Sequence, residues 1–486
     1  MSFTKVAKPT TFSGKPKITI AKVLGASPNK PILFRVGVLG QRPISYFAKD
    51  LPHGLTLNGN IICGKVEKEG NYQFTLECQN SLGSERVLVT LEVKKDAVFL
   101  TPLLGWTSWN AYAYQVTQED IEKTASQMLD LGLAEYGYCY INTDSGWQGA
   151  YGGKFDAVMP NAKFPDIKGM VDRLHEKGFK CGIYSTPMLN AFGCSMEEVP
   201  LPPGCTQGEP DDMFADERGG VGVIRKEKNN ALQWAEWGFD YLKYDWRPCD
   251  PYNAELMRKE LVATDRDFGF CVSVRARPEY HKYWCKYCNS YRNNCDSIGN
   301  WKNLLEIYNT YFDFVDYINK GHFFDLDMLD LGECYLFEFL EYTKEPDHGL
   351  SEDEQVVAYT VRAFLNSPVQ LSCKLNSVTD FELALYCNEE IIAINQDCAF
   401  DTARPIIKEN DGNKIVNVFK KNLADGRVAY ALFNMGETTE SVSVELDGVY
   451  QIRDAWAKED LPSASVIYYQ MPPHTTKVLV TKKIND

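Results

Sequence analysis

The 486-residue sequence has no run of 18 apolar residues, so it offers no helix able to span a bilayer. It has no dense Lys/Arg stretch either. With a formal net charge of −15 and a pI near 5.1, its average field repels nucleic acid and other long polyanions. The first residues, Met1 to Lys5, are followed by Lys8, Lys15 and Lys17 and lack the apolar core of a secretory leader. The expectation is a cytoplasmic protein, or a secreted one if a leader has been removed. The 15 cysteines are odd in number and irregularly spaced, which is not the pattern of a disulfide framework; reduced thiols fit better. Cys285-Lys-Tyr-Cys288, with Cys295 nearby, has no second Cys or His pair to complete a zinc set. No Gly-rich phosphate loop is present. Neither a metal nor a cofactor is expected. Neutral small molecules and sugars remain as ligands, with an oligosaccharide or glycoconjugate as the partner class. A homo-oligomer is left open.

What is present is a soluble, globular composition, 44% hydrophobic and 24% charged, long enough for two or three domains. Residues from about 12 to 95 read as short β-branched and aromatic strands punctuated by Gly54, Gly59, Gly64 and Gly70. Leu51-Pro-His-Gly-Leu-Thr-Leu57 and the stretch from Gly64 to Leu76 resemble a bacterial immunoglobulin-like module. Its role reads as a spacer or stabilising lid in preference to a sugar-binding module. From about residue 99, β-rich runs alternate with amphipathic helical windows, which indicates βα units. Thr117-x-x-Asp120 looks like a capping box, and Ile167, Met170, Val171 and Leu174 recur at helical spacing. Eight strands are expected, at Leu103–Ser108, Tyr138–Thr143, Phe179–Ser185, Phe239–Asp245, Phe270–Arg275, Ser290–Ile298, His322–Met328 and Pro368–Leu371. That count predicts a (β/α)8 barrel. Met188 to Gly220, rich in Pro, Gly and acids, reads as a loop over the active face. From about Ala403 the pattern is all-β again. The division expected is 1–98 (immunoglobulin-like), 99–402 (catalytic barrel) and 403–486 (antiparallel β-sandwich).

Functional groups of such barrels sit at the C-terminal ends of the strands. Asp144, Asp245, Asp296 and Asp327 lie at such ends. Carboxylates with Trp106 and Trp109, and without a metal or phosphate motif, suggest sugar chemistry, because glycosidic bonds need two carboxyl groups flanking the anomeric carbon. Strand alternation puts Tyr241, Lys243 and Asp245 on one face. If that face points inward, Lys243 lies below Asp245 and favours its carboxylate form; a purely structural ion pair is an equal alternative. Arg292 and Asp296 would likewise share a face, either orienting a carboxyl group or forming a loop salt bridge.

Several ordered motifs then resemble glycoside hydrolase family 27, the α-galactosidases and α-N-acetylgalactosaminidases, over roughly residues 100 to 480. They are Gly105-Trp-Thr-Ser-Trp-Asn110, Ile141-Asn-Thr-Asp-Ser-Gly-Trp147, Tyr241-Leu-Lys-Tyr-Asp245, Tyr291-Arg-Asn-Asn-Cys-Asp296, Asp325-Leu-Asp-Met-Leu329 and Ala393-Ile-Asn-Gln-Asp397. The resemblance implies a retaining hydrolase acting on terminal α-linked galactose or a related glycone. Asp245 would be the nucleophile and Asp296 the acid/base. Asp144, Lys243 and Arg292 would bind hydroxyls, Trp106 and Trp147 would wall the ring, and Asp327 is a further contact candidate. Two features depart from the family. Ser145 stands where a second acid is usual, and the fifth strand reads Phe270-Cys-Val-Ser-Val-Arg-Ala-Arg277 without the usual C2-contacting stretch. Alternation would turn Ser273, Arg275 and Arg277 inward, inviting an acidic or C2-modified substrate. The competing expectation is that the arginines pair with Asp250, Glu279 or the acids at Asp211 and Asp212. Other readings are a different glycone, such as a β-L-arabinopyranoside or an α-glucoside, and a barrel that binds carbohydrate without catalysis. Retention of both Asp245 and Asp296 speaks against the last.

Overall fold

The computed structural model describes residues 2–188, 225–246, 249–273, 275–334 and 349–484. Its centre is an eight-stranded parallel sheet curled into a barrel. The strands are β1 (Leu104–Thr107), β2 (Tyr140–Thr143), β3 (Lys180–Ser185), β4 (Tyr241–Asp245), β5 (Gly269–Ser273), β6 (Ser290–Tyr291), β7 (Phe323–Phe324) and β8 (Val369–Leu371). They pair in chain order, β8 returns to β1, and a bridge between Leu329 and Leu371 closes the ring beyond β7. All eight expected strands are present. Three are markedly shorter than expected at the mouth: β5 stops at Ser273, β6 is only two residues, so Arg292 to Ile298 is loop, and β7 ends at Phe324. The expected long loop from Met188 to Gly220 lies, beyond Met188, outside the described residues.

The helices follow from the sequence. Thr117 caps Gln118–Asp130 in a full capping box with Asp120. In Ile167–Glu176 the buried residues are Ile167, Met170, Val171 and Leu174, the expected stripe.

The N-terminal end of the barrel is closed by Phe99. Its ring lies 5.0 Å from that of Tyr140 and 5.6 Å from that of Tyr241. Leu103, Tyr140, Tyr241 and Cys271 complete this floor. Gly269 is required there: a Cβ at this position would stand 1.8 Å from the Phe99 ring.

Before the barrel, a four-stranded and a three-stranded sheet share one core that includes Ile32, Ile62, Phe74, Val89 and Leu91, forming a β-sandwich. It docks on the barrel's N-terminal end. Arg35 donates to Lys177 O at 2.6 Å and to Glu135 Oε1 at 2.8 Å, and Ser27 N donates to Asp267 Oδ2 at 2.7 Å. All three barrel residues precede their strands, so the sandwich faces away from the strand ends that carry Asp245. A spacer or a stabilising lid was expected of this module, and its position at the floor does not make it a cover for the active face. After the barrel, six antiparallel strands between Arg404 and Lys483 form a second sandwich, with Val418, Leu432, Val444 and Ile467 in its core.

Candidate active site

Asp245 ends β4, where period-two alternation carries three side chains up the barrel interior: Tyr241 into the floor, Lys243 at mid-height and Asp245 at the mouth. Asp245 is 8% exposed, and its two carboxyl oxygens differ. Oδ2 accepts a hydrogen bond from Tyr184 Oη at 2.9 Å, while Oδ1 is buried without a partner. Burial pushes its pKa up to about 6, against the opposing pull of Lys243, Arg292 and the Tyr184 hydrogen bond; the Asp296 charge adds to the rise.

Lys243 gives its ion pair to Asp144, with Nζ 2.8 Å from Oδ2, and not to Asp245 as strand order suggested. Burial disfavours the ammonium, but Asp144 together with Asp327 and Asp245 outweighs it and the pKa is raised. Lys243 therefore acts on Asp245 through space. The other Asp144 oxygen accepts from the backbone N–H of Ser145 at 2.8 Å; the Ser145 side chain is buried.

Arg292 is fully buried just beyond β6 and bridges two carboxylates. Nη2 donates to Asp296 Oδ1 at 2.7 Å, and Nη1 lies 2.5 Å from Asp327 Oδ2, close enough for an ion pair but without the angle of a hydrogen bond. The shared strand face expected for Arg292 and Asp296 is corrected to a loop contact. Asp296 is the accessible member of the group, its side chain 38% exposed, whereas Asp327 is buried and also accepts from Ser297 N at 2.7 Å. Asp327 thus anchors Arg292 and the loop after Asp296.

Trp106 and Trp147 are both fully enclosed. Their indole N–H groups donate to Cys373 O at 2.9 Å and Tyr184 O at 3.0 Å. They support β1 and β3 from within the protein and present no open ring face. The inward arginines are also corrected. Ser273 is buried, its Oγ unpartnered, in register with Asp245, but the strand ends there. Arg275 has φ +62° and is exposed, and the exposed Arg277 lies 3.8 Å from Glu279, one of the acids expected to neutralise it. Alternation fails because an αL residue reverses the pleat. Asp211 and Asp212 lie outside the described residues. Cys285 donates to Tyr317 O at 3.2 Å, which leaves the CxxC pair in ordinary packing contacts.

Tyr184 escaped the sequence reading as a site residue, although its signal was available: it sits near the C-terminal end of β3, in register with Lys243. Ser273, Tyr184, Lys243 and Arg292 surround a carboxylate with one free oxygen, and a second, accessible carboxylate shares the same guanidinium. Such a pair can attack a carbon with one group and exchange a proton with the other.

Comparison with known proteins places this geometry in context. Residues 212–397 match the family profile described as α-galactosidase A, and residues 414–481 match the α-galactosidase C-terminal β-sandwich domain. α-Galactosidase 2 of Arabidopsis thaliana is 27% identical over 395 residues, covering 79% of this chain and 86% of that protein. A crystal structure from Bacteroides fragilis, given as a candidate α-galactosidase/melibiase, is 28% identical with a TM-score of 0.85, covering 97% of this chain and 99% of that one. A family 27 β-L-arabinopyranosidase from Geobacillus stearothermophilus, at 22% identity and a TM-score of 0.68, covers 79% of this chain and 98% of its own and shares the fold.

Proposed function

This chain belongs to glycoside hydrolase family 27, the α-galactosidase family, and from that premise we propose that it removes terminal α-linked galactose with net retention. The observation that carries the reading is the Asp245 carboxyl, held on one oxygen by Tyr184 and unpartnered on the other, with Asp296 reached through Arg292.

In this reading Asp245 Oδ1 attacks the anomeric carbon. The bond to the leaving oxygen breaks, and that oxygen takes a proton from Asp296. A covalent glycosyl-enzyme results. Water then attacks the same carbon, gives its proton to Asp296, and the bond to Asp245 breaks. Lys243 and Arg292 stabilise the carboxylate before attack. Tyr184 holds Oδ2 so that Oδ1 faces the sugar. Asp144, fixed by Lys243, and the buried Ser145 and Ser273 offer hydrogen bonds to glycone hydroxyls.

Hydrolysis of p-nitrophenyl α-D-galactopyranoside tests the glycone, and the anomer first released, read by NMR, tests retention. No turnover by folded protein, or release of the β-anomer, overturns the proposal. Ser145, which removes a charged acceptor from the mouth, favours a second panel of β-L-arabinopyranosides and C2-modified glycosides. An acidic glycone is a reading to be tested at Arg275, which is exposed just beyond β5. An Arg275→Ala variant with unchanged preference between neutral and acidic glycosides removes that reading.

A further inference from the structure

A second arginine lies behind the mouth, and the reaction as described does not use it. Arg362, in the helix Glu352–Phe364, is 1% exposed and has no sugar to touch. Its donors are spent on two loops. Nε donates to Asp327 O at 2.8 Å, and Nη2 donates to Met328 O at 2.6 Å and to Ser297 Oγ at 3.2 Å; Nη1 returns to its own helix at Ala358 O, 3.1 Å. One rigid guanidinium therefore pins the loop after β7 to the residue that follows Asp296. The same two loops meet again where Ser297 N donates to Asp327 Oδ2. Asn110, beyond β1, completes the bracket: Nδ2 donates to Ser297 O at 3.2 Å and to the Asp330 carboxylate.

We propose that Arg362 and Ser297 are positioning residues for the acid/base Asp296, fixing the backbone from which its carboxyl reaches the leaving-group oxygen. The need is physical. Asp296 is accessible and stands on a loop where a strand was expected. Arg292 restrains its carboxyl, but nothing in β6 restrains its backbone. The bracket behind it does: Ser297 on one side, and Asn303 Nδ2 donating to Asp296 O at 3.1 Å on the other. Proton transfer is sensitive to displacements far smaller than a loop's free motion. Asp327, the partner of Arg292, is held by the same guanidinium through its carbonyl, so both ends of the Asp296–Arg292–Asp327 chain share one anchor.

The inference rests on the acid/base role of Asp296, and the experiment separates the two. kcat/KM is measured for an aryl α-galactoside with a nitrophenol leaving group, which needs little protonation, and for an alkyl α-galactoside, which needs much. Asp296→Ala is the reference and loses the alkyl substrate by a far larger factor than the aryl one. Ser297→Ala, which keeps Arg362 and its backbone contacts, is expected to lower the alkyl substrate roughly tenfold more than the aryl one, part of the ~10²–10⁴ that positioned proton transfer supplies. Arg362→Lys is expected to act in the same direction. Equal losses on both substrates in a folded Ser297→Ala protein overturn the positioning role. If Asp296→Ala itself fails to discriminate, the acid/base assignment falls, and the inference with it. Should Arg362→Lys fail to fold, Ser297→Ala and Asn110→Ala, each removing one contact to the loop, decide alone.

Discussion

The two ends of the barrel are built from the same strands and do opposite things. At the N-terminal end, Tyr140, Tyr241, Leu103 and Cys271 pack on Phe99. At the C-terminal end, Asp144, Lys243, Asp245, Arg292 and Asp327 crowd charged groups into a buried mouth. On β4 the change takes two inward steps, from Tyr241 to Asp245, on the order of 13 Å of strand. The floor contributes stability by burying apolar surface. The mouth spends it: burial, with the Asp296 charge, lifts Asp245 from its ordinary 3.8 to about 6 even against the pull of Lys243, Arg292 and Tyr184. The comparison teaches that alternation, by setting which residues face inward, lets one strand supply both without compromise at either.

Substitutions at each end test that separation. The largest effect belongs to Asp245→Asn. Turnover should fall by at least about 10³-fold, the scale seen when one member of a catalytic unit is removed, while the protein stays folded. A variant retaining a tenth of the activity breaks the assignment. At the floor, Phe99→Ala should cost about 2–4 kcal/mol in chemical denaturation, less than a fully buried ring because Phe99 is half-buried. kcat/KM per folded molecule should not change. Gly269→Val should destabilise through the clash with that ring, and Phe99→Ala should relieve part of the cost in a double-mutant cycle. Additive losses would mean the two positions are not coupled.

Asp245→Asn carries a second, smaller expectation. The folded-state pKa lies above the ordinary value, so the ionised carboxyl opposes folding above about pH 6, and that opposition fades as the pH falls towards 4. At pH 7 the Asn variant should therefore be more stable, by roughly 1–3 kcal/mol on the scale of 1.36 kcal/mol per pK unit, and the gain should shrink in acid. A gain independent of pH would point elsewhere. The smallest effect is that of Tyr184→Phe. Losing the hydrogen bond to Oδ2 should move the acid limb of kcat/KM upward by less than about one unit, because activity needs the carboxylate. A downward movement contradicts the geometry.

The strands and half of the mouth were legible in the sequence, but of the floor only Tyr241 was. The β4 residues Tyr241, Lys243 and Asp245 could be placed because β4 is regular to its end. Arg292 to Ile298 and Arg275 were misread for the converse reason. Once the chain leaves the ladder, period two no longer says where a side chain points, and an αL residue such as Arg275 discards the register. Of the two readings of Lys243, its pull on the Asp245 carboxylate holds, but its ion pair goes to Asp144, which comes from β2, two strands away with β3 between them. The enclosure of Trp106 depends on barrel closure, which joins β1 to β8, and the enclosure of Trp147 and the bracket at Arg362 depend on contacts between segments distant in sequence; none has a local signature.

Phe99 also has a place in time. It belongs to the stretch that leaves the N-terminal sandwich, and it is translated before any strand of the barrel it will close. A chain emerging N-terminus first can complete the sandwich at Val93 while this ring still hangs from it, long before Gly269 exists to receive it. The sandwich, folding as a unit, delivers the first piece of another domain's core. Exchanging it for a foreign module would change the order in which the barrel is built as well as what the barrel rests on.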